Sequence, residues 1–178
     1  MLTRTWGAGR IELRQGDLTQ VAADALVTAA NDGLRGGGGV DGAIHRVGGP
    51  EILEACRRIG GCPTGRAVAT TAGRLPARWV IHAVGPIWQG GAAGEADLLA
   101  SAYRSSLELL VSLGGHTIAF PSISTGVYGF PVREASAIAL RAIREHLLGP
   151  APLELVIMVL FDEPTYRVYE AGLEDLEP

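Results

Sequence analysis

The chain has 178 residues, of which 47% are hydrophobic and 25 are glycine, and it carries a formal charge of −4. This length and apolar content predict one globular domain over residues 1–178 and exclude a collagen-like or disordered chain. The acidic balance provides no basic field for strong binding of nucleic acid. All 15 basic residues are arginine, which excludes mechanisms that need a P-loop lysine, a kinase lysine or a Schiff base.

Neither the cysteines nor the N-terminal segment indicates export, a metal site or a membrane anchor. The two cysteines, Cys56 and Cys62, have a spacing that fits no zinc or redox motif. The first ten residues, MLTRTWGAGR, lack the apolar core of a signal peptide. The longest apolar run, residues 155–161, is too short to span a bilayer. We therefore expect a reduced, cytoplasmic protein without a bound metal.

Short β-branched runs alternate along the chain with longer runs of helical spacing. The predicted strands are 10–15, 24–29, 66–71, 78–84, 117–121 and 153–161, and the predicted helices are 39–47, 50–59, 95–113, 131–148 and 164–173. This alternation predicts an α/β fold with a mostly parallel sheet, because parallel strands need helical crossovers. The pair 66–71 and 78–84 also fits a hairpin, which would make the sheet mixed.

Two glycine-containing loops follow predicted strands, at the position where open α/β sheets bind ligands. After strand 24–29 the run Gly36–Gly39 opens a helix, and after strand 117–121 come Gly126 and Gly129. Successive backbone N–H groups in such loops, and those of a helix N-terminus, form sites for phosphate. The second loop is explained equally well as an ordinary tight turn. In a chain without lysine, the backbone is the favoured phosphate-binding device.

Residues 37–42 also fit the G-x-G-x-x-G pattern, so an NAD-dependent dehydrogenase is an alternative. That pattern belongs in the first strand-to-helix turn, directly after the strand. Here Asn31 to Gly36 intervene and the strand is the second one predicted. The dehydrogenase is therefore the weaker hypothesis.

Three long segments together resemble one family. They are ANDGLRGGGGVDGAIHRVGGP, PTGRAVATTAGRLPARWVIHAVGPIW and FPSISTGVYGFP, and they closely resemble macrodomains of the MacroD type, which hydrolyse ADP-ribose adducts. The resemblance runs from about Glu12 to Tyr169. It implies a three-layer α/β/α macrodomain-like fold with a mixed, mostly parallel central sheet.

The resemblance implies that the ligand is ADP-ribose and assigns its contacts. Asp17 would accept a hydrogen bond from the adenine amino group, with Leu18 beside it and Phe161 against the adenine ring. Two loops would hold the diphosphate and distal ribose through Gly37, Gly38, Gly39 and Val40 on one side and Ser124, Thr125, Gly126, Val127 and Tyr128 on the other. Without the resemblance, Asp17 is better explained as a turn or N-cap residue. Core filling is an alternative explanation for the aromatic rings of Phe161 and Tyr128.

By the same resemblance Asn31, Asp41 and His45 are the catalytic residues, and Asn31 and Asp41 also contact the ligand. Asp41 and His45 are four residues apart on predicted helix 39–47 and so share one face, where they could hold or polarise a water. An imidazole suits proton transfer near neutral pH, and the Asn31 amide would orient the distal ribose. From spacing alone, a charge at the helix dipole and a surface ion pair are the simpler explanation.

One position departs from the family. Its members usually read Asn-Ala-Ala-Asn where this chain reads Thr28-Ala29-Ala30-Asn31. A hydroxyl does not bridge two partners as an amide does. If the first amide braces the loop, activity survives with a looser site; if it touches the substrate, rate or specificity changes.

These residues together lead to a specific expectation. The protein is expected to be a hydrolase, independent of metals and cofactors, that removes mono-ADP-ribose from Asp and Glu side chains and also deacetylates O-acetyl-ADP-ribose. Its expected partners are ADP-ribose and ADP-ribosylated proteins, and it is expected to be a monomer away from membranes. The main alternative is a noncatalytic module that binds ADP-ribose, and the lesser alternative is the NAD-dependent oxidoreductase.

Overall fold

A computed structural model describes residues 1–176, and positions 177 and 178 of the predicted domain lie outside them. Within this range the chain forms seven strands and five α-helices. The strands are β1 (Leu2–Trp6), β2 (Gly9–Gln15), β3 (Ala25–Ala29), β4 (Ala67–Thr71), β5 (Trp79–Ala83), β6 (Thr117–Phe120) and β7 (Leu155–Leu160). The helices are α1 (Gly39–Gly48), α2 (Pro50–Ile59), α3 (Glu95–Ser112), α4 (Val132–Leu147) and α5 (Glu163–Asp175).

Every predicted strand and helix is present, with each boundary displaced by at most two residues. The prediction omitted one strand, β1, which pairs antiparallel with β2 so that Leu2 lies opposite Leu13. β1 is the edge strand of the sheet. Its exposed Thr3 and Thr5 give it the polar composition that edge strands use against aggregation.

The seven strands form one mixed sheet in the order β1-β2-β7-β6-β3-β5-β4. The five inner strands are mutually parallel, and the edge strands β1 and β4 are antiparallel to their neighbours. The hairpin considered for residues 66–71 and 78–84 is therefore confirmed as the β4–β5 pair. A mixed, mostly parallel sheet follows.

Helices cover both faces of the sheet and create two apolar cores. Along β3, Val27 packs into the core formed with α3, α4 and α5, whereas Leu26 packs into the core formed with α1 and α2. Successive side chains of a strand point to opposite faces, so the arrangement is a three-layer α/β/α sandwich. Among residues 1–176, no helix combines the length and apolar character needed to cross a membrane.

Because the inner strands are parallel, their carboxyl ends share one edge of the sheet. Gly16 follows β2, Ala30 follows β3, Pro121 follows β6 and Phe161 follows β7. The two glycine-containing loops therefore meet at this edge, as the sequence predicted.

Candidate active site

A cavity of about 510 Å³ lies at the carboxyl edge of the sheet. Its walls come from the segments after β2, β6 and β7 and from the first turns of α1. Seven of the predicted ligand-binding residues line it: Asp17, Leu18, Gly39, Val40, Thr125, Gly126 and Phe161. Residues separated by most of the chain are thus brought together around one space.

The sequence did not single out the outer part of this wall on α1. Val40, Ala43 and Arg46 line the cavity together. Each is three residues from the next, so they form a ridge along one side of the helix. Val40 was a predicted contact, and this spacing from it is the signal that leads to Ala43 and then to Arg46.

Asp17 performs the capping role that the residues alone suggested. Its Oδ1 accepts hydrogen bonds from the Thr19 amide at 2.9 Å and the Thr19 hydroxyl at 2.7 Å. It thereby caps a short 3-10 helix, Leu18–Gln20. The N-cap interpretation is confirmed, and the same residue also lines the cavity.

Phe161 stands in solvent at the mouth of the cavity. Its side chain is 80% exposed, although it directly follows the buried Leu160 at the end of β7. The core-filling interpretation of Phe161 is therefore wrong. An exposed ring on a cavity wall offers a flat apolar surface for stacking.

The glycine-rich loop presents bare backbone. Gly36 and Gly39 have φ values of +80° and +58°, a region that favours glycine. At Gly38 and Gly39 no described atom lies within 4 Å of the place that a Cβ would occupy. Gly38 is the N-cap of α1 and supplies no side-chain cap. The backbone at the start of α1 is thus open to approach, and the positive end of the helix dipole lies there.

The second loop runs from Ser124 to Tyr128 and is held in a tight turn. Ser124 has φ +68°, and its buried hydroxyl has no hydrogen-bond partner among the described residues. The Phe130 amide donates to the Ser124 carbonyl at 2.9 Å. Backbone strain of this kind is stored at functional sites more often than elsewhere. Val127 at the tip of the turn is fully exposed, and Gly126 has open space where a Cβ would be.

The segment after β5 clamps this second loop, a role the sequence did not reveal. A Cβ at Gly85 would overlap Ser124 Oγ and the Ile123 side chain. The Trp88 amide donates to the Tyr128 carbonyl at 2.8 Å. Tyr128 is half-buried and borders a second cavity of about 240 Å³. A glycine at position 85 is therefore a condition for the loop conformation.

Asn31 braces the glycine-rich loop in this structure. Its Nδ2 donates to the Gly36 carbonyl at 2.8 Å, and its Oδ1 accepts from the Arg35 amide at 2.9 Å. A carboxamide carries two N–H hydrogens and two oxygen lone pairs, so one of each is used by the loop. The role predicted for Asn31, orientation of a ribose, depends on the remaining pair.

Asp41 is a buried carboxylate held from two sides. It is 6% exposed, and its Oδ1 accepts from Thr28 Oγ1 at 2.9 Å and lies 3.5 Å from His45 Nε2. Its Oδ2 is 3.9 Å from the Cβ position of Gly37, below the glycine-rich loop. Burial raises the pKa of Asp41, against the lowering effects of the Thr28 hydrogen bond and the His45 charge. The surface-pair interpretation of Asp41 and His45 is therefore wrong.

Two further buried groups lie behind His45. The His82 and His45 ring centroids are 6.2 Å apart, and Cys56 Sγ is 3.7 Å from His82 Nε2. Burial, followed by the His45 charge, lowers the pKa of His82 to about 4. Burial, followed by the charge of Asp41, raises the pKa of Cys56 to about 11. The prediction of His82 as a satisfied core histidine is confirmed by its 2.8 Å contact with Thr70 Oγ1.

Chemically, the site combines four features. A carboxylate and an exposed aromatic ring line the large cavity, together with residues of the two glycine-containing loops. Beyond the glycine-rich loop lies a buried carboxylate with an adjacent imidazole. This arrangement suits an anionic ligand with an aromatic base, and the buried carboxylate and imidazole lie close to the glycine-rich loop.

Comparison with known proteins identifies similar chains. The family model described as Macro domain matches residues 27–139. An O-acetyl-ADP-ribose deacetylase of Citrobacter rodentium is 55% identical over 165 residues, which cover 90% of this chain and 93% of that protein. An Oceanobacillus iheyensis macrodomain with ADP has a TM-score of 0.94 at 42% identity and covers 97% of this chain and 94% of that chain. A Trypanosoma brucei macrodomain in complex with ADP-ribose has a TM-score of 0.85 at 42% identity and covers 92% of this chain and 68% of that chain.

Proposed function

This chain belongs to the Macro domain family, and from that premise we propose that it binds ADP-ribose and hydrolyses its esters. The proposed substrates are proteins carrying mono-ADP-ribose on Asp or Glu, and O-acetyl-ADP-ribose. Both contain a carboxylic ester to a ribose hydroxyl. The deacetylase name of the Citrobacter rodentium relative supports the second substrate, and the common ester linkage extends the proposal to the first.

The adenine end of the ligand is proposed to lie between Asp17, Leu18 and Phe161. Asp17 Oδ1 is already occupied by Thr19, but each carboxylate oxygen accepts more than one hydrogen bond. The exocyclic amine of adenine is a suitable donor for it. The exposed Phe161 ring supplies the stacking surface.

The diphosphate is proposed to lie between the two loops. Open backbone at Gly38, Gly39 and Gly126 lets a ligand approach the amides without steric conflict. Phosphate at the N-terminus of α1 gains from the helix dipole as well as from the free N–H groups. No lysine is required, which fits a chain whose basic residues are all arginine.

The single observation that carries the hydrolase proposal is the buried Asp41 carboxylate beneath the glycine-rich loop, anchored by Thr28 and flanked by His45. We assign it the role of orienting a water and accepting its proton. The water oxygen bonds to the ester carbonyl carbon, the bond to the ribose oxygen breaks, and the proton returns to that oxygen. The products are a carboxylic acid and ADP-ribose with a free hydroxyl. An ester needs modest assistance, so orientation and one base suffice without a metal ion in the reaction steps.

The proposal is tested with Asp41→Ala and Asn31→Ala against the wild-type chain. We expect Asp41→Ala to slow ADP-ribose release from a glutamate-modified protein by about 100-fold or more, the usual contribution of a general base. Asn31→Ala should also slow release severely, because it unties the glycine-rich loop. Acetate release from O-acetyl-ADP-ribose is measured in parallel. Full activity in both variants would sink the assignment.

A matched control is available on the neighbouring helix. Glu51 is an exposed acid in the first turn of α2, as Asp41 is a buried acid in the first turn of α1. Glu51→Ala should leave both hydrolytic rates unchanged.

A wild-type chain that binds ADP-ribose without turnover would favour the noncatalytic module instead. The NAD-dependent alternative has little support, because the strand order differs from that of dinucleotide-binding domains.

A further inference from the structure

Three side chains with metal-binding atoms meet behind the Asp41 carboxylate. His45 comes from α1, Cys56 from α2 and His82 from β5. One ligand atom from each lies within 4.8 Å of the other two. Their separations along the sequence match no metal motif, so only the fold reveals the cluster.

The distances in this cluster are close to those of a metal site. Zinc binds a thiolate at about 2.3 Å and an imidazole nitrogen at about 2.0–2.1 Å, so tetrahedral geometry places these two ligand atoms roughly 3.6 Å apart. Cys56 Sγ lies 3.8 Å from His82 Nδ1 and 3.7 Å from His82 Nε2. These separations match the spacing of two zinc ligands, and because they are nearly equal, the His82 ring must turn to aim one nitrogen at a shared ion.

The hydrogen bonds around the two imidazoles leave a nitrogen of each for a metal. His45 Nε2 faces Asp41 Oδ1 at 3.5 Å, while His45 Nδ1 is buried and has no hydrogen-bond partner among the described residues. His82 Nε2 contacts Thr70 Oγ1 at 2.8 Å, which leaves Nδ1. Metal-bound histidines commonly hold an outer partner in this way, a carboxylate above all.

We propose that His45, Cys56 and His82 form a binding site for one Zn²⁺ ion. A thiolate with two imidazoles is a ligand set that suits zinc. Cys56 and His82 are each 1% exposed, whereas the His45 side chain is 16% exposed and gives the cluster contact with solvent. Binding breaks the S–H bond of Cys56, forms a zinc–sulfur bond and releases the proton to solvent. His45 also flanks Asp41 of the proposed active site, but the zinc ion takes no part in the proposed reaction steps, and its binding is measured without substrate.

The experiment uses the full chain, stripped with a chelator and titrated with Zn²⁺ and then with Co²⁺ as a spectroscopic probe. We expect one Zn²⁺ per chain and a thiolate-to-metal charge-transfer band with Co²⁺. Cys56→Ser should weaken Zn²⁺ binding by more than about tenfold, since even outer-shell changes cost that much. Cys62→Ser is the matched control, because Cys62 is the other buried free thiol and lies outside the cluster; it should keep both the affinity and the band.

Several outcomes would overturn the site. Absence of stoichiometric Zn²⁺ binding by the wild-type chain would do so, as would unchanged binding by Cys56→Ser. Loss of the band in Cys62→Ser would show that Cys62, and not Cys56, supplies the thiolate. If Cys56→Ser does not fold, the wild-type Co²⁺ spectrum decides, since a spectrum without thiolate charge transfer contradicts the proposal.

Discussion

Thr28 links strand β3 to the carboxylate on helix α1. Its hydroxyl donates to Asp41 Oδ1 across 13 residues of sequence, and both residues are buried. The hydroxyl therefore fixes the carboxylate on the helix. Thr28 is a positioning residue, because it acts on Asp41 and does not line the cavity.

We expect Thr28→Val to lower kcat by about 10- to 100-fold, the equivalent of one hydrogen bond to a charged group. KM should change little, because the loops that bind the ligand keep their contacts. Thr28→Ser retains the hydroxyl and should restore most of kcat. Steady-state kinetics on O-acetyl-ADP-ribose separates the two parameters. A Thr28→Val variant with wild-type kcat would contradict the positioning role.

Two glycines permit a contrast between packing and ligand access. We expect Gly85→Ala to reduce both the free energy of unfolding, by about 1–3 kcal/mol, and ADP-ribose affinity, because its Cβ would overlap Ser124 and Ile123. The Cβ added by Gly126→Ala meets no protein atom but occupies space at the cavity wall. This variant should therefore reduce ADP-ribose affinity and leave the free energy of unfolding unchanged. Urea unfolding and calorimetry with ADP-ribose measure the two quantities. Equal stability of both variants would contradict the clamp assigned to Gly85.

At the scale of elements, hydrophobic periodicity predicted all five α-helices, each ten or more residues long. It succeeded because the apolar positions that repeat along each helix are also the ones that pack against the sheet. α2 is an example: Pro50 and Glu51 begin it, and Gly60 ends it in the left-handed conformation. β1 was missed because its five residues include only two apolar ones, Leu2 and Trp6. The strand forms because it pairs with β2, and this pairing cannot be recognised from the five residues alone.

In the candidate site, a contact within one helix was predicted, whereas contacts between different elements were not. Asp41 and His45 were paired in advance because helical spacing is a local rule. The contacts of Thr28 with Asp41 and of Gly85 with Ser124 join different elements, and no local pattern encodes them. The orientation of Phe161 was left open because it directly follows a strand. At that position neither the alternation of a strand nor the periodicity of a helix says whether a side chain is buried.

Glu95 ties the loop before α3 to the start of that helix. Its Oε2 accepts from the amides of Gln89 and Gly91 at 2.8 Å each, and its Oε1 accepts from Ala93 at 2.6 Å. These hydrogen bonds, that of Gln89 first, lower the pKa of Glu95 to about 2. One carboxylate thus organises the rim of the smaller cavity.

We expect Glu95 to stabilise the fold above its unfolded pKa of about 4.3, with this stabilisation lost as pH falls from there towards 2. Glu95→Gln should therefore be less stable than wild type at pH 6, and the difference should shrink on acidification. Asp97→Asn, an exposed acid in the same helical turn, is the control. Urea midpoints between pH 6 and 2.5 measure the effect, and parallel pH profiles for wild type and Glu95→Gln would contradict it.

At the scale of the molecule, ligand binding should stabilise the whole fold, because the cavity is built from segments after β2, β6 and β7 together with α1. With ADP-ribose at 100 times its Kd, the gain is about 2.7 kcal/mol. At about 2–4 °C per kcal/mol for a domain of this size, we expect Tm to rise by roughly 5–11 °C.

NAD at the same concentration should raise Tm less, and ADP-ribose should stabilise Phe161→Ala less than wild type. Thermal unfolding with each ligand provides the measurement. A larger shift with NAD than with ADP-ribose would instead favour the dinucleotide-dependent alternative.

The pairing of β2 with β7 has a consequence for the order in which the protein is made. β2 aligns with β7 from Arg10 opposite Leu155 to Gln15 opposite Leu160, so the β1–β2 hairpin joins the parallel strands of the sheet only after β7 has been synthesised. Such distant partners make assembly late and slow. Asp17 and Phe161 flank this pair. A nascent or truncated chain that lacks β7 and Phe161 therefore lacks one wall of this cavity, and we expect it not to bind ADP-ribose.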